Sequence, residues 1–134
     1  MKRELQDHYS LDDLREIVSD LRAPGGCPWD RVQTYESLKI TLRDETQEVL
    51  EAVERQDTEN LKEELGDLLL QVLFYADLAK EDGYFDLEDV MTGLGRKLVR
   101  RHPHVFADAK ADTPEEALAL WKEVKRRERE EGYF

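Results

Sequence analysis

Two stretches of the chain, DETQEVLEAV at residues 44–53 and EELGDLLLQV at 63–72, set acid beside aliphatic residue in the same way. Each holds an acidic pair, a third acid three residues after the second, and an aliphatic residue directly after that. On a helix each residue turns the chain by about 100°, so Leu38, Leu42, Val49 and Ala52 fall within about 60° of Glu45, with Glu48 about 60° to the other side. Leu61, Leu68, Gln71 and Tyr75 cluster in the same way around Glu64, with Asp67 about 60° away. The carboxylates therefore lie on the stripes that should pack, whereas Asp44, Glu51, Glu54 and Glu63 point elsewhere and read as solvated charges. A desolvated carboxylate must be neutralised, paired or bound to a cation. A spacing of three stacks two side chains on one helix face, and an antiparallel neighbour can supply two more. The pattern thus predicts two adjacent helices that hold Glu45, Glu48, Glu64 and Asp67 around a shared cation.

Donor type narrows the cation. Four carboxylates with no Cys or His at matching spacing suit a hard ion, Mg²⁺ or Mn²⁺. A di-iron bundle would need Glu-x-x-His pairs, and none of His8, His102 and His104 follows a Glu by three. Mg²⁺ held by carboxylates keeps positions for water and phosphate oxygens, which points to a phosphorylated substrate.

The 134 residues read as a single domain, 1–134, long enough for a core. Net charge of −12 argues against binding nucleic acid through its phosphates. The charge is uneven, since half of the 20 Lys and Arg lie in residues 96–129 and form a basic pole. The start MKRELQDHYS lacks an apolar signal, no run is long enough to span a membrane, and Cys27 has no partner cysteine. A cytoplasmic protein without membrane association is expected.

The periodicity predicts about five helices and no strand, an all-α bundle. Ser10 caps the first, SLDDLREIVSDLRA, and APGGCPWD breaks it. The second spans about 34–56, and the third about 59–82 after Asp57 and Thr58, ending at Gly83. The fourth, about 87–101, contains Gly93 and Gly95, read as sites of close helix packing, and halts at Pro103. TPEE at 113–116 starts the last, with Thr113 as cap, Pro114 first and Glu116 closing a capping box. The stretch LGDLLLQVLFYADLA at 65–79 is apolar nearly all round and needs cover on every face, for which a partner subunit is the economical source.

With these motifs placed, the chain resembles the MazG-type nucleoside triphosphate pyrophosphohydrolases from Leu11 to Lys125. The E-E-x-x-E, spacer, E-x-x-D pattern of that family is met by Asp44-Glu45-x-x-Glu48 and Glu64-x-x-Asp67, with Asp44 in place of its first Glu. GCPWD at 26–30, KLVRRHPHVF at 97–106 and WKEVK at 121–125 match further signatures. The resemblance implies an oligomeric all-α bundle, a homodimer or dimer of dimers. It implies Mg²⁺-dependent hydrolysis of NTPs or dNTPs, noncanonical ones included, to nucleoside monophosphate and pyrophosphate. Metal coordination falls to Glu45, Glu48, Glu64 and Asp67, and nucleotide contacts to Lys97, Arg101, Trp121 and Lys125. Glu45 or Glu48 is the candidate that orients or deprotonates the attacking water. The alternatives are a dedicated dUTP, dCTP or phosphoribosyl-ATP pyrophosphohydrolase and a non-catalytic helical dimerisation module. Cys27 and Trp29 read as loop anchors, and His102 and His104 as parts of a tight turn at Pro103.

Overall fold

A computed structural model describes residues 2–132. Among them the order is α1 (Leu11–Arg22), α2 (Pro28–Arg31), α3 (Leu38–Glu54), α4 (Thr58–Glu81), α5 (Leu87–Arg101), α6 (Pro103–Phe106) and α7 (Pro114–Glu131), with no strand. The five long helices are those expected. The two four-residue helices, α2 and α6, occupy the segments PWDR and PHVF, each opening on a Pro at its first position. The residues divide into two compact units, Met1–Leu87 and Glu88–Phe134.

In the first unit, α3 and α4 form an antiparallel hairpin linked by Arg55, Gln56 and Asp57. Gln56 N–H donates to the Val53 carbonyl and Asp57 N–H to that of Ala52, both at 3.1 Å, a closure that places Gln56 at φ +56°. The Asp57 side chain then accepts from Asn60 N–H at 3.1 Å and caps α4. At the far end of α4 the same closure is made with a glycine, Gly83, at φ +76°. Helix α3 starts four residues later than expected, because Thr34 and Ser37 bond each other's backbone N–H through their hydroxyls and hold a turn there.

The core gathers Val18 of α1, Leu38 of α3, Leu73, Phe74, Ala76 and Leu78 of α4, and Leu87, with Leu11, Leu14, Leu70 and Tyr75 against it. It fills mainly the half of the hairpin remote from the 55–57 link; toward that link only Ala52 of the two helices is buried, at 1% exposed. Buried Arg22 ties the end of α1 to α4 through Asp77 at 2.6 Å and Glu81 at 2.8 Å. Gly26 follows closely, where an added Cβ would stand 2.3 Å from the Asp20 carbonyl oxygen, so only glycine lets the chain turn back onto α1. Trp29 does not anchor this loop with its ring, which is 73% exposed; its carbonyl accepts from Gln33 instead. On α4, Leu65, Leu69 and Val72 stay exposed, as do Ile40, Leu50 and Val53 of α3.

The second unit contains α6, α7 and all but the first residue of α5. Thr113 caps α7 by accepting from Glu116 N–H at 3.1 Å. The Glu116 carboxylate reaches back to Asp112 N–H at 2.9 Å, one residue before the cap, so the reciprocal arm of the box closes outside its expected place. Among the described residues Gly93 and Gly95 are not sites of close packing, since a Cβ at either would meet nothing within 4 Å.

Gln56 holds a left-handed conformation that costs a residue bearing a Cβ about 1 kcal/mol. Gln56→Gly is expected to raise stability by about 0.5–1 kcal/mol, and Gly83→Ala to lower it by a similar amount, both read from urea unfolding midpoints.

Candidate metal centre

The hairpin register builds the acidic site. The Thr41 hydroxyl lies 3.0 Å from the Gln71 side-chain oxygen, which pairs α3 with α4 at that level. One further turn along the two antiparallel helices brings Glu45 beside Asp67, and the next brings Glu48 beside Glu64. Each of the four offers a carboxylate oxygen, and these oxygens all lie within 4.8 Å of one another. The site occupies the half of the hairpin that the apolar core leaves unfilled. Asp44, Glu54 and Glu63 are exposed, and Glu51 turns to Arg55 at 3.2 Å, as their helical faces predict.

The quartet is electrostatically unresolved by the protein itself. None of its members forms an ion pair with Lys or Arg among the described residues. One Oε of Glu45 and one of Glu64 are buried without a hydrogen-bond partner. Burial, followed by Glu48 and Asp67 close by, raises the Glu45 pKa above its ordinary value. Glu64 is pushed up to about 7, first by a shared hydrogen bond with Glu48, then by burial and the charges of the other acids. A cluster that holds protons against its own repulsion, with all-oxygen donors and orphaned buried lone pairs, fits a hard divalent cation. Glu45, Glu48, Glu64 and Asp67 are the residues that would hold it. His102 and His104, with ring centres 5.6 Å apart, belong to no metal-ligating group among the described residues, and His102 Nδ1 bonds the Leu98 carbonyl.

The second unit brings together three of the four expected nucleotide contacts. Arg101 lies 5.6 Å from the Trp121 ring centre, and Lys125 Nζ lies 4.9 Å from it. Lys97 stands one turn before Arg101 on α5 and is partly buried. The unexpected member is Glu128, which is 1% exposed and accepts from Arg100 and Arg101. It was within reach of the sequence, because Trp121, Lys125 and Glu128 fall at i, i+4 and i+7 on one face of α7. That face does not stand out in α7, because acids and bases are interleaved along the whole helix.

Residues 33–106 match the model of the MazG nucleotide pyrophosphohydrolase domain. The chain belongs to the MazG family. Over 120 residues, 89% of its length, it is 48% identical to a nucleoside triphosphate pyrophosphohydrolase of Escherichia coli (strain K12), covering 46% of that protein. It is 44% identical over 129 residues to the uncharacterized protein YabN of Bacillus subtilis (strain 168), covering 96% of this chain and 26% of that one. The crystal structure of a mazG-related protein from Thermotoga maritima superposes with a TM-score of 0.72 at 37% identity, covering 87% of this chain and 99% of that one. The chain thus spans about half, or less, of the length of these curated MazG relatives. The MazG match includes all four acids together with Lys97 and Arg101, while Trp121, Lys125 and Glu128 lie beyond it.

The raised Glu64 pKa has a signed consequence. A carboxyl whose folded pKa lies above its unfolded one adds stability below the unfolded value, near 4.5, and that stability is lost as pH rises through about 7. In metal-free protein with EDTA, Glu64→Gln should flatten the fall in melting temperature between pH 5 and pH 8 relative to wild type. Added Mg²⁺ should restore the wild type most strongly at the upper end of that range.

Proposed function

We propose that the protein is a Mg²⁺-dependent nucleoside triphosphate pyrophosphohydrolase, acting on NTPs or dNTPs, noncanonical ones among them, in the cytoplasm. The observation that carries this reading is the quartet of carboxylates from α3 and α4, with two buried oxygens that no protein group satisfies. The names of the relatives support the same reaction. Water would add at the α-phosphorus, and the bond from that phosphorus to the bridging oxygen would break, leaving a monophosphate and pyrophosphate.

Once bound, Mg²⁺, or Mn²⁺ in its place, supplies positive charge against the phosphate oxygens and acidifies a nearby water. The chain's own part follows from exposure. Glu45, Glu64 and Asp67 are partly buried and are proposed to hold the ion, with Glu48 at the rim. As the exposed member, Glu48 is best placed to orient the attacking water and accept its proton, ahead of Glu45. Lys97, Arg101 and Lys125 are proposed to meet the phosphates, with Trp121 beside the base or ribose.

A homodimer, or a dimer of dimers, completes the proposal. Leu65, Leu69 and Val72 of α4, 49%, 39% and 41% exposed, would be covered by a second copy.

Purified protein should release pyrophosphate from a panel of NTPs and dNTPs only with Mg²⁺ or Mn²⁺. Orthophosphate as the product would mean a different bond is attacked, and no release from any nucleotide would leave an inert dimerisation module. Glu45→Gln and Asp67→Asn should lose turnover by about 100-fold or more together with metal affinity, whereas Glu48→Gln should lose turnover and keep more of that affinity. Glu54→Gln, on the outer face, should match wild type. Light scattering at micromolar concentration tests the assembly, and an active monomer near 15.7 kDa would refute it.

A further inference from the structure

Glu128 is the most deeply buried charged side chain among the described residues, and both of its oxygens are engaged. Arg100 Nε donates to Oε1 at 2.6 Å, while Arg101 donates to Oε2 through Nε at 3.2 Å and Nη2 at 3.1 Å. These bonds hold the carboxyl below its usual range, with the Arg100 contact the largest cause. Two adjacent guanidinium donors on one carboxylate fix the plane of Arg101 as well as its position. That plane lies at the Trp121 ring, against which Lys125 also rests.

Burying such a group gives little stability that apolar packing would not give as well. What it does give is orientation. Two arginines share one carboxylate, so their guanidinium groups are held at one level against the face of α7 that carries Trp121 and Lys125. Beside the Trp121 ring opens a cavity of about 330 Å³ lined by Trp121, Lys122, Lys125, Arg126 and Arg129, in which Arg126 is already paired with Glu123 and Glu130. Lysine and arginine cations next to an aromatic wall match the chemistry of an anionic nucleotide.

We propose that Glu128 is a positioning residue for the nucleotide: it locks Arg100 and Arg101 in place and, through Arg101, sets the Trp121–Lys125 wall against which the nucleotide is held. The inference rests on the nucleotide reading above and separates the residue that sets affinity from those that set turnover. Glu128 does not touch the substrate.

Glu128→Gln preserves shape and removes the charge that aligns the guanidinium groups. In steady-state pyrophosphate release its KM for the NTP should rise about 10-fold or more, with kcat within about threefold of wild type. Binding is measured separately with Mg²⁺ and the α,β-methylene analogue of the NTP. A Trp29→Phe background leaves Trp121 as the sole tryptophan, whose emission is excited selectively over that of the tyrosines, and the dissociation constant should weaken by the same factor as KM. A variant with a lowered melting temperature but wild-type KM and analogue affinity would reduce Glu128 to a structural ion pair and overturn the proposal. A fall in kcat at unchanged KM would overturn it too. If Glu128→Gln does not fold, Glu128→Asp keeps the charge and withdraws it by one methylene, and a folded Asp variant with wild-type KM and affinity likewise overturns the assignment. Wild type that binds the analogue yet releases no pyrophosphate would sink the hydrolase reading alone, and the binding constants would still decide the role of Glu128. Wild type that does neither would sink both.

Discussion

Four carboxylates cannot bring oxygens within 4.8 Å of one another without a counter-charge or bound protons, and the α3–α4 hairpin is built so that they must. The three-residue link fixes the register, the register aligns the acids, and the aligned acids leave two buried oxygens that no side chain satisfies. The apolar core stops short of that end. A chain optimised only for stability would continue Leu, Ile and Val along both stripes. Here the packing positions are given to groups that repel, which is stability exchanged for a site.

The two units resolve buried charge in opposite ways. In the first, like charges are gathered and the carboxyl of Glu64 is lifted toward 7. In the second, Glu128 is buried more deeply than any of the quartet, yet its carboxyl is held below the ordinary range because two arginines surround it. Burial by itself raises a carboxyl in both places; the partners decide the sign. Chemistry that needs an external cation calls for the first arrangement, and a rigid frame calls for the second.

The acidic site was legible in the sequence because helical periodicity is a strong constraint and a carboxylate on a packing stripe violates it conspicuously. Glu45, Glu48, Glu64 and Asp67 fall where the face argument puts them, and Asp44, Glu51, Glu54 and Glu63 fall outside. Where local chemistry competes with periodicity, reading failed. The hydroxyls of Thr34 and Ser37 hold a turn that propensity counts as helix. Gly93 and Gly95 suggest a close neighbour that neither has among the described residues, because a glycine marks an allowance and carries no record of what uses it. Trp29 looked like an anchor through its size, but its backbone makes the bond. Glu128 stayed hidden because a long charged helix offers many acids at plausible spacing, and only the fold shows which one meets α5.

The lopsided core has a consequence for how the hairpin opens. Local unfolding free energy follows buried apolar contact, so the half of α3 and α4 near residues 55–57 is a separate and weaker cooperative segment than the half packed on α1. Its cohesion rests on buried Ala52, the backbone closure at Gln56, the Asp57 cap and whatever neutralises the acids. A cation there would do the job that Leu73, Phe74 and Leu78 do at the other end, as an ionic core facing an apolar one along the same pair of helices. Divalent-ion concentration would then tune the breathing of one end of the hairpin while leaving the other end untouched.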